Sequence, residues 1–239
     1  MNNLNRSIQN KKYFANRNIG AESMMRYKIP PYLLSILPED KGAAILDVGC
    51  GFGHVLDNLR SLGYTNLSGI DISDEAILHC HNINLNVEQI SSLEDFFSKN
   101  TKKYDFIIMT HVIEHINKEE IIKTLTEIKN TLTATGALYL TTPNAQSNTG
   151  SYWMFEDFTH TTIFTSGSLI YVLRSAGFDT IEFLDPADLA RHSPIARIIK
   201  KIFLKIYKLN KKFWNKVTAS SYHKPSPEVY SFELKVLAK

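Results

Sequence analysis

Three glycines at alternate positions, Gly49, Gly51 and Gly53, follow directly on the apolar run Ile45-Leu46-Asp47-Val48. A buried strand that breaks into bare backbone and then into a helix is compatible with few folds. With no side chains in the way, a ligand can lie on the main chain itself. The helix expected over His54–Leu62 aims its N-terminal N–H groups at the same place. A second acid, Asp71, ends the next apolar run, Leu67–Ile70. An acid at the tip of the second strand is where nucleotide-binding α/β folds grip a ribose.

The glycine spacing excludes two common ligand loops. A dinucleotide fingerprint would need glycine at 54, where His stands, and no Lys-Ser or Lys-Thr closes a phosphate loop. The stretch resembles the first motif of class I S-adenosylmethionine (SAM)-dependent methyltransferases, whose loop holds a ligand without a phosphate. The resemblance implies that Asp47 orients the loop and the methionine part of SAM. It implies that Gly49, Cys50, Gly51 and Gly53 form the loop, and that Asp71, followed by Ile72, binds both ribose hydroxyls. The turn after the third strand contacts adenine in that family, which nominates Ser92, Leu93 and Glu94; Ser92 reads equally as a helix cap. Thr110, at the tip of the fourth strand, is assigned to the cofactor site as well.

Strand and helix patterns alternate along the chain. Strands are expected at Ile45–Val48, Leu67–Ile70, Val87–Ile90, Tyr104–Thr110, Ala137–Thr141, Thr180–Leu184 and Val229–Leu237. Helices are expected at His54–Leu62, Asp74–Asn82, Leu93–Asn100, Lys118–Leu132 and Ser166–Ala176, with Gly136 and Gly177 as stops. Such alternation predicts an α/β fold, a mostly parallel sheet with helices on both faces. It resembles the Rossmann-like, seven-stranded methyltransferase sheet, whose last strand is antiparallel. The expected organisation is a helical lid over 1–40, a SAM-binding domain over 41–188 and 228–239, and a basic insertion over 189–227. Tyr13, Arg17, Arg26 and Tyr27 are the lid's candidates for the SAM carboxylate.

The titratable groups gather near strand tips. His111, Glu114 and His115 are spaced i, i+3 and i+4, which places them on one face of a helical turn. That is a geometry for a proton relay or a metal. The segment resembles the Glu-x-x-Glu-His metal motif of small-RNA 2′-O-methyltransferases and ubiquinone-pathway O-methyltransferases, with His111 in place of the first Glu. A divalent metal on His111, Glu114, His115 and His160 is one expectation; packing at the strand tip is another. The stretch Asp157-x-x-His160, then Phe164-Thr165, resembles the same branch, especially members acting on surface polysaccharides and quinones. His160 is the candidate general base, oriented by Asp157, which could instead hold substrate hydroxyls. His160 also reads as a cap for the helix at Ser166. The loop Asn144–Tyr152, with Trp153 and Phe155, is expected to face substrate.

Charge is distributed unevenly. Residues 189–227 hold ten Lys or Arg and no acid, leaving 17 basic against 24 acidic residues elsewhere. From Pro194 the apolar residues Ile195, Ile198, Ile199, Ile202, Phe203, Ile206, Leu209 and Phe213 recur with helical period. A cationic amphipathic helix over 194–217 suits an anionic membrane surface. Docking on the domain or on another subunit is the rival reading, and nucleic acid the weakest. Cys50 and Cys80 suggest no disulfide framework, and a polar start without a long apolar stretch points to the cytoplasm, peripheral on the inner face of its membrane. The function expected is SAM-dependent O-methylation of a glycan hydroxyl or phosphate, on a surface polysaccharide or lipid-linked sugar. A quinone-type phenol is the alternative; an RNA ribose or a SAM-binding scaffold follows.

Overall fold

The computed structural model describes residues 13–24, 27–221 and 223–239. Arg26 and the first twelve residues of the expected lid lie outside these. Seven strands form one sheet: β1 (Ile45–Val48), β2 (Leu67–Asp71), β3 (Val87–Gln89), β4 (Tyr104–Thr110), β5 (Leu132–Pro143), β6 (Ile181–Phe183) and β7 (Glu233–Ala238). Their order is β3-β2-β1-β4-β5-β7-β6. The first five run parallel, and β7 inserts antiparallel between β5 and β6. The strand order reverses between β1 and β4, and ligands bind outside the carboxyl ends at such a switch point.

All four residues of β1 are buried, as a central parallel strand requires. Leu46, Val48, Ile107, Met109, Leu138 and Leu140 pack one face against Leu125, Ile128, Leu169 and Leu173. Ile45, Phe106, Ile108 and Tyr139 pack the other against Leu33, Val55 and Leu59. Side chains accept the first free N–H groups of several helices: Ser73 Oγ from Ala76, Ser92 Oγ from Asp95, and Ser193 Oγ from Ala196.

Three expectations change. Gly136 does not stop the helix, which ends at Thr131; β5 starts at Leu132 and carries Gly136 inside it. The β4–β5 register shifts between Tyr104 and Phe106, and a Cβ on Gly136 would lie 2.9 Å from the Tyr104 carbonyl oxygen. The glycine there permits close strand approach. The last strand begins at Glu233 and not at Val229, because the Asn144 side chain takes the carbonyls of Val229 and Ser231. His160 caps no helix: Thr165 and Ser168 form a reciprocal capping box for Ser166–Ser175.

Gly53 opens the helix His54–Ser61 in the left-handed region, at φ +77°. A Cβ there would run into Leu85 and come within 2.8 Å of Cys80 Sγ. Gly53→Ala is expected to cost about 2 kcal/mol or more, or about 4–8 °C of melting temperature in a thermal scan.

Candidate functional site

A cavity of about 1010 Å³ opens at the carboxyl edge of the sheet. Its lining includes Gly49, Cys50, Gly51, Asp71, Ile72, Ser92, Leu93, Glu94 and Thr110. These are the cofactor residues expected from the sequence, with two exceptions. Gly53 packs behind the loop on Cys80 and Leu85, and Asp47 sits beneath it. Gly51 faces the lid, where a Cβ would meet the Phe14 ring at 3.3 Å. The Cys50 thiol points inward to Leu56, Ile77 and Cys80. A hydrogen bond with Cys80 and burial push its ionisation far up, so it offers backbone and no reactive thiolate. Ser92 lines the cavity and also caps its helix.

Asp71 organises the loop. Its Oδ2 accepts the Gly51 N–H at 2.8 Å, and its Oδ1 accepts the Ser73 N–H at 2.8 Å. One carboxylate therefore joins the glycine turn to the start of the next helix. Burial raises its pKa, and those backbone hydrogen bonds oppose the rise.

Asp47 is 1% exposed, and neither of its carboxylate oxygens has a hydrogen-bond partner. Burial and the nearby Asp71 charge push it up to about 8. A buried, unpartnered carboxylate under a ligand loop suits a cationic group, such as the ammonium of SAM. A carboxyl whose folded pKa exceeds its unfolded value stabilises the fold when protonated. That stability drains away as pH rises from about 4 to about 8. The unliganded protein is therefore expected to melt several degrees lower at pH 8 than at pH 5. Asp47→Asn is expected to flatten that slope, raise the unliganded melting temperature and weaken binding of S-adenosylhomocysteine (SAH). Calorimetric scans with and without SAH check all three.

The catalytic candidates converge on the same cavity. The tip of β4 leads through His111, at φ +55°, into a short 3₁₀ turn, Ile113–His115. His111 is thus outside the turn, though its side chain still meets Glu114. Its Nδ1 meets Glu114 Oε1 at 3.1 Å and its Nε2 meets Glu233 Oε1 at 2.7 Å. Burial among its neighbours works against charge on the ring, but the two carboxylates prevail and lift His111 to about 10. It is an imidazolium joining two acids. Glu114 is fully buried, and its Oε2 accepts from Thr142 Oγ1 at 3.0 Å. Burial raises its pKa, but the contacts from His111 outweigh that and hold it ionised.

His115 and His160 stack edge to face, with centroids 4.7 Å apart. His160 Nδ1 lies 2.7 Å from the Trp153 carbonyl, so it carries the proton and Nε2 is the acceptor. Asp157 Oδ2 stands 3.7 Å from that Nε2. Asp157 is itself held by Tyr13 Oη at 2.7 Å, Arg17 Nη1 at 2.5 Å and Thr159 Oγ1 at 2.6 Å. It is therefore a positioning group and has no oxygen to spare for substrate. Thr159 Oγ1 gives its hydrogen to Asp157 and accepts from His115 Nδ1 at 2.8 Å. Burial depresses the His115 pKa, so the ring is neutral at pH 7. Of the loop aromatics only Trp153 reaches the cavity; Phe155 is 80% exposed.

Glu114, His115 and His160 each offer one donor atom, and the three lie within 4.8 Å of one another. His111 is not in that set. A carboxylate and two imidazoles are donors that a divalent ion takes, and these three residues would hold it. His111, bonded to Glu114, occupies the place of the motif's first Glu.

A profile of the family described as "Methyltransferase domain" matches residues 21–182. The chain belongs to this family. Among curated relatives, the ubiquinone biosynthesis O-methyltransferase of Glaesserella parasuis is 34% identical over 114 residues, 43% of this chain and 46% of that protein. The one from Thiobacillus denitrificans is 25% identical over 155 residues, 63% of this chain and 62% of that protein. The chain thus spans about half the length of the curated relatives it matches. A SAM-dependent methyltransferase from Archaeoglobus fulgidus has the same fold, with a TM-score of 0.65 at 20% identity, covering 95% of this chain and 97% of that one. The plantazolicin methyltransferase BpumL, in complex with SAH, superposes at a TM-score of 0.53 and 20% identity, over 87% of this chain and 79% of that one.

Within this methyltransferase domain, sequence reasoning missed Arg191, Phe232 and Glu233, which all line the cavity. Glu233 opens β7, a strand far along the chain that returns beside β5. An acid at the first position of a central strand was the available signal. Tyr13 and Arg17 do reach the site, but they bind Asp157, where the sequence had offered them to the SAM carboxylate.

Proposed function

We propose that the chain transfers a methyl group from SAM to an acceptor oxygen, with His160 taking the hydroxyl proton. The observation carrying this is the tautomer fixed at His160. Its Nδ1–H is committed to the Trp153 carbonyl, which leaves Nε2 as a base. SAM supplies a methyl already activated by a sulfonium. Asp157, 3.7 Å from Nε2, stabilises the imidazolium that forms. Tyr13, Arg17 and Thr159 hold Asp157 in place and keep it ionised. The lid residues Tyr13 and Phe14 wall the cavity and exclude water.

The acceptor we favour is a quinone-type phenol, ahead of the glycan expected first from the sequence. The relatives named above are ubiquinone biosynthesis O-methyltransferases, and Tyr13, Phe14, Trp153 and Phe232 give the cavity aromatic walls. The sugar reading rested on the basic helix and on the likeness of Asp157-x-x-His160 to polysaccharide-modifying members; polar groups in the loop after β5 would suit a sugar and an aromatic ring equally. Of those groups, Asn144 is fully buried and spent on Val229 and Ser231. A phenol, with a pKa of about 10 as in Tyr, also yields its proton to a neutral imidazole far more readily than a sugar hydroxyl does. Labelled methyl from SAM is expected to enter phenolic lipids in preference to polysaccharide fractions. Preferential labelling of polysaccharide would reverse the order.

Because His160 Nε2 either accepts a proton or binds a metal, chelation separates the two. Activity is expected to survive exhaustive chelation, with elemental analysis showing less than about 0.1 metal per chain if the cluster is a base. Loss of turnover that a divalent ion restores would convert the cluster into a metal site.

A further inference from the structure

The helix Pro194–Val217 lies between β6 and β7 and has no buried residue. At about 100° per residue its side chains sort into three faces. Lys200, Tyr207, Lys208 and Lys211 turn toward the domain. Lys200 Nζ meets Asp188 Oδ2 at 3.0 Å, and Lys235 Nζ meets Oδ1 of the same acid at 3.0 Å. Tyr207 Oη donates to Asn148 Oδ1 at 2.7 Å, and Lys211 Nζ to the Gln146 carbonyl at 3.2 Å. Lys208 pairs with Glu228 at 3.2 Å. The face against the domain is thus mainly polar, with Leu204 half-buried among the lysines, unlike an amphipathic helix docked to complete a core.

The opposite face is apolar and open. Ile195, Ile198, Ile202, Ile206, Leu209 and Phe213 are each 56–72% exposed. Exposed Lys201, Lys205, Lys212 and Lys216 line one flank of that stripe. The 24 residues of the helix contain no acid. Contiguous apolar exposure of this extent marks an interaction site. Two such faces from two copies packed antiparallel would bring cation against cation. A nucleic acid would leave the apolar stripe in water. Among the described residues no helix is long and apolar enough to cross a membrane.

We propose that this helix lies in the interfacial layer of an anionic lipid bilayer, with Ile202 and Ile206 in the acyl boundary and Lys201, Lys205, Lys212 and Lys216 among the headgroups. The polar face keeps the domain on the helix's aqueous side. Through Asn148 and Gln146 the helix holds the turn that leads into the helix Gly150–Glu156, which carries Trp153, so the cavity wall is coupled to the bound surface.

The test is flotation of the full chain with vesicles, which reads lipid binding and needs no turnover. Recovery with phosphatidylcholine containing about one third phosphatidylglycerol should exceed recovery with phosphatidylcholine alone at least about tenfold. It should fall as salt is raised. Ile202→Glu/Ile206→Glu should abolish recovery with no change in melting temperature, since both side chains point away from the domain. Lys201→Glu/Lys205→Glu, a variant that leaves the apolar face intact, should lose the preference for anionic lipid. Equal recovery on neutral and anionic vesicles would overturn the proposal, as would flotation that Ile202→Glu/Ile206→Glu leaves intact. So would a dimer in sedimentation that Ile202→Glu/Ile206→Glu splits while no lipid is bound, because a second copy would then be what covers the face.

Discussion

Asp71→Ala is expected to weaken SAH binding by about 100-fold or more in isothermal titration, given about 1.5–3 kcal/mol for each hydrogen bond to a charged group. The carboxylate does two things at once. It accepts the backbone N–H groups of Gly51 and Ser73, and its position at the end of β2 faces the cavity. Removing it releases the glycine loop and, in the proposed SAM site, deletes the acceptor for a ribose. Asp71→Asn keeps one acceptor oxygen and should lose less affinity. Both variants should melt lower than the parent, because two backbone donors lose their partner. The loss of affinity must exceed what that destabilisation alone explains, so binding is measured well below the melting transition. An Asp71→Ala protein that binds SAH within about threefold of the parent would remove Asp71 from the cofactor site.

His160→Ala is expected to lower kcat by about 10²–10⁴ and to leave SAH affinity unchanged. His160 Nε2 is left open by the Nδ1 contact with the Trp153 carbonyl and faces Asp157 at 3.7 Å. His115 turns Nδ1 to Thr159 and keeps the aromatic packing against His160. Asp157→Asn should cost less, about 10- to 100-fold, since the base survives without its counter-charge. A merely structural role for Asp157 would move the melting temperature and KM together. The positioning role predicts a fall in kcat and a displacement of the acid limb of the pH–rate profile to lower pH, because the imidazolium loses its support. Imidazole is active only when neutral, so activity falls on the acid side in every variant that retains His160.

Much of this arrangement can be read from residues alone because it rests on local patterning. The run from Ile45 to Gly53 encodes strand, turn and helix start within nine residues, and the structure repeats that order. Asp71 at a strand tip and Ser92 before a helix are likewise local signals. Contacts between distant segments were not legible. Glu233 reaches His111 across 122 residues, and Tyr13 reaches Asp157 across 144. No periodicity announces such pairs. The i, i+3, i+4 spacing of His111, Glu114 and His115 is realised in part: His111 meets Glu114 but stays outside the 3₁₀ turn. His111 takes a left-handed backbone conformation, which breaks the helical phase before Glu114. Gly136 misled, since a glycine after an amphipathic stretch reads as a stop, while here it lets β5 pass close to Tyr104. The basic helix was legible as amphipathic, but which face meets the domain was not; Asn148, Gln146 and Asp188 decide that from outside the segment.

The central claim is methyl transfer to oxygen, driven by a base that the fold holds over the SAM loop. The measurement closest to it is transfer of labelled methyl from SAM to a catechol-type phenol by the purified full chain, with the product's methylated atom assigned by NMR. The account predicts a single O-methyl product whose formation His160→Ala suppresses while SAH binding persists. A methyl on carbon or nitrogen, or full activity in His160→Ala, would contradict it.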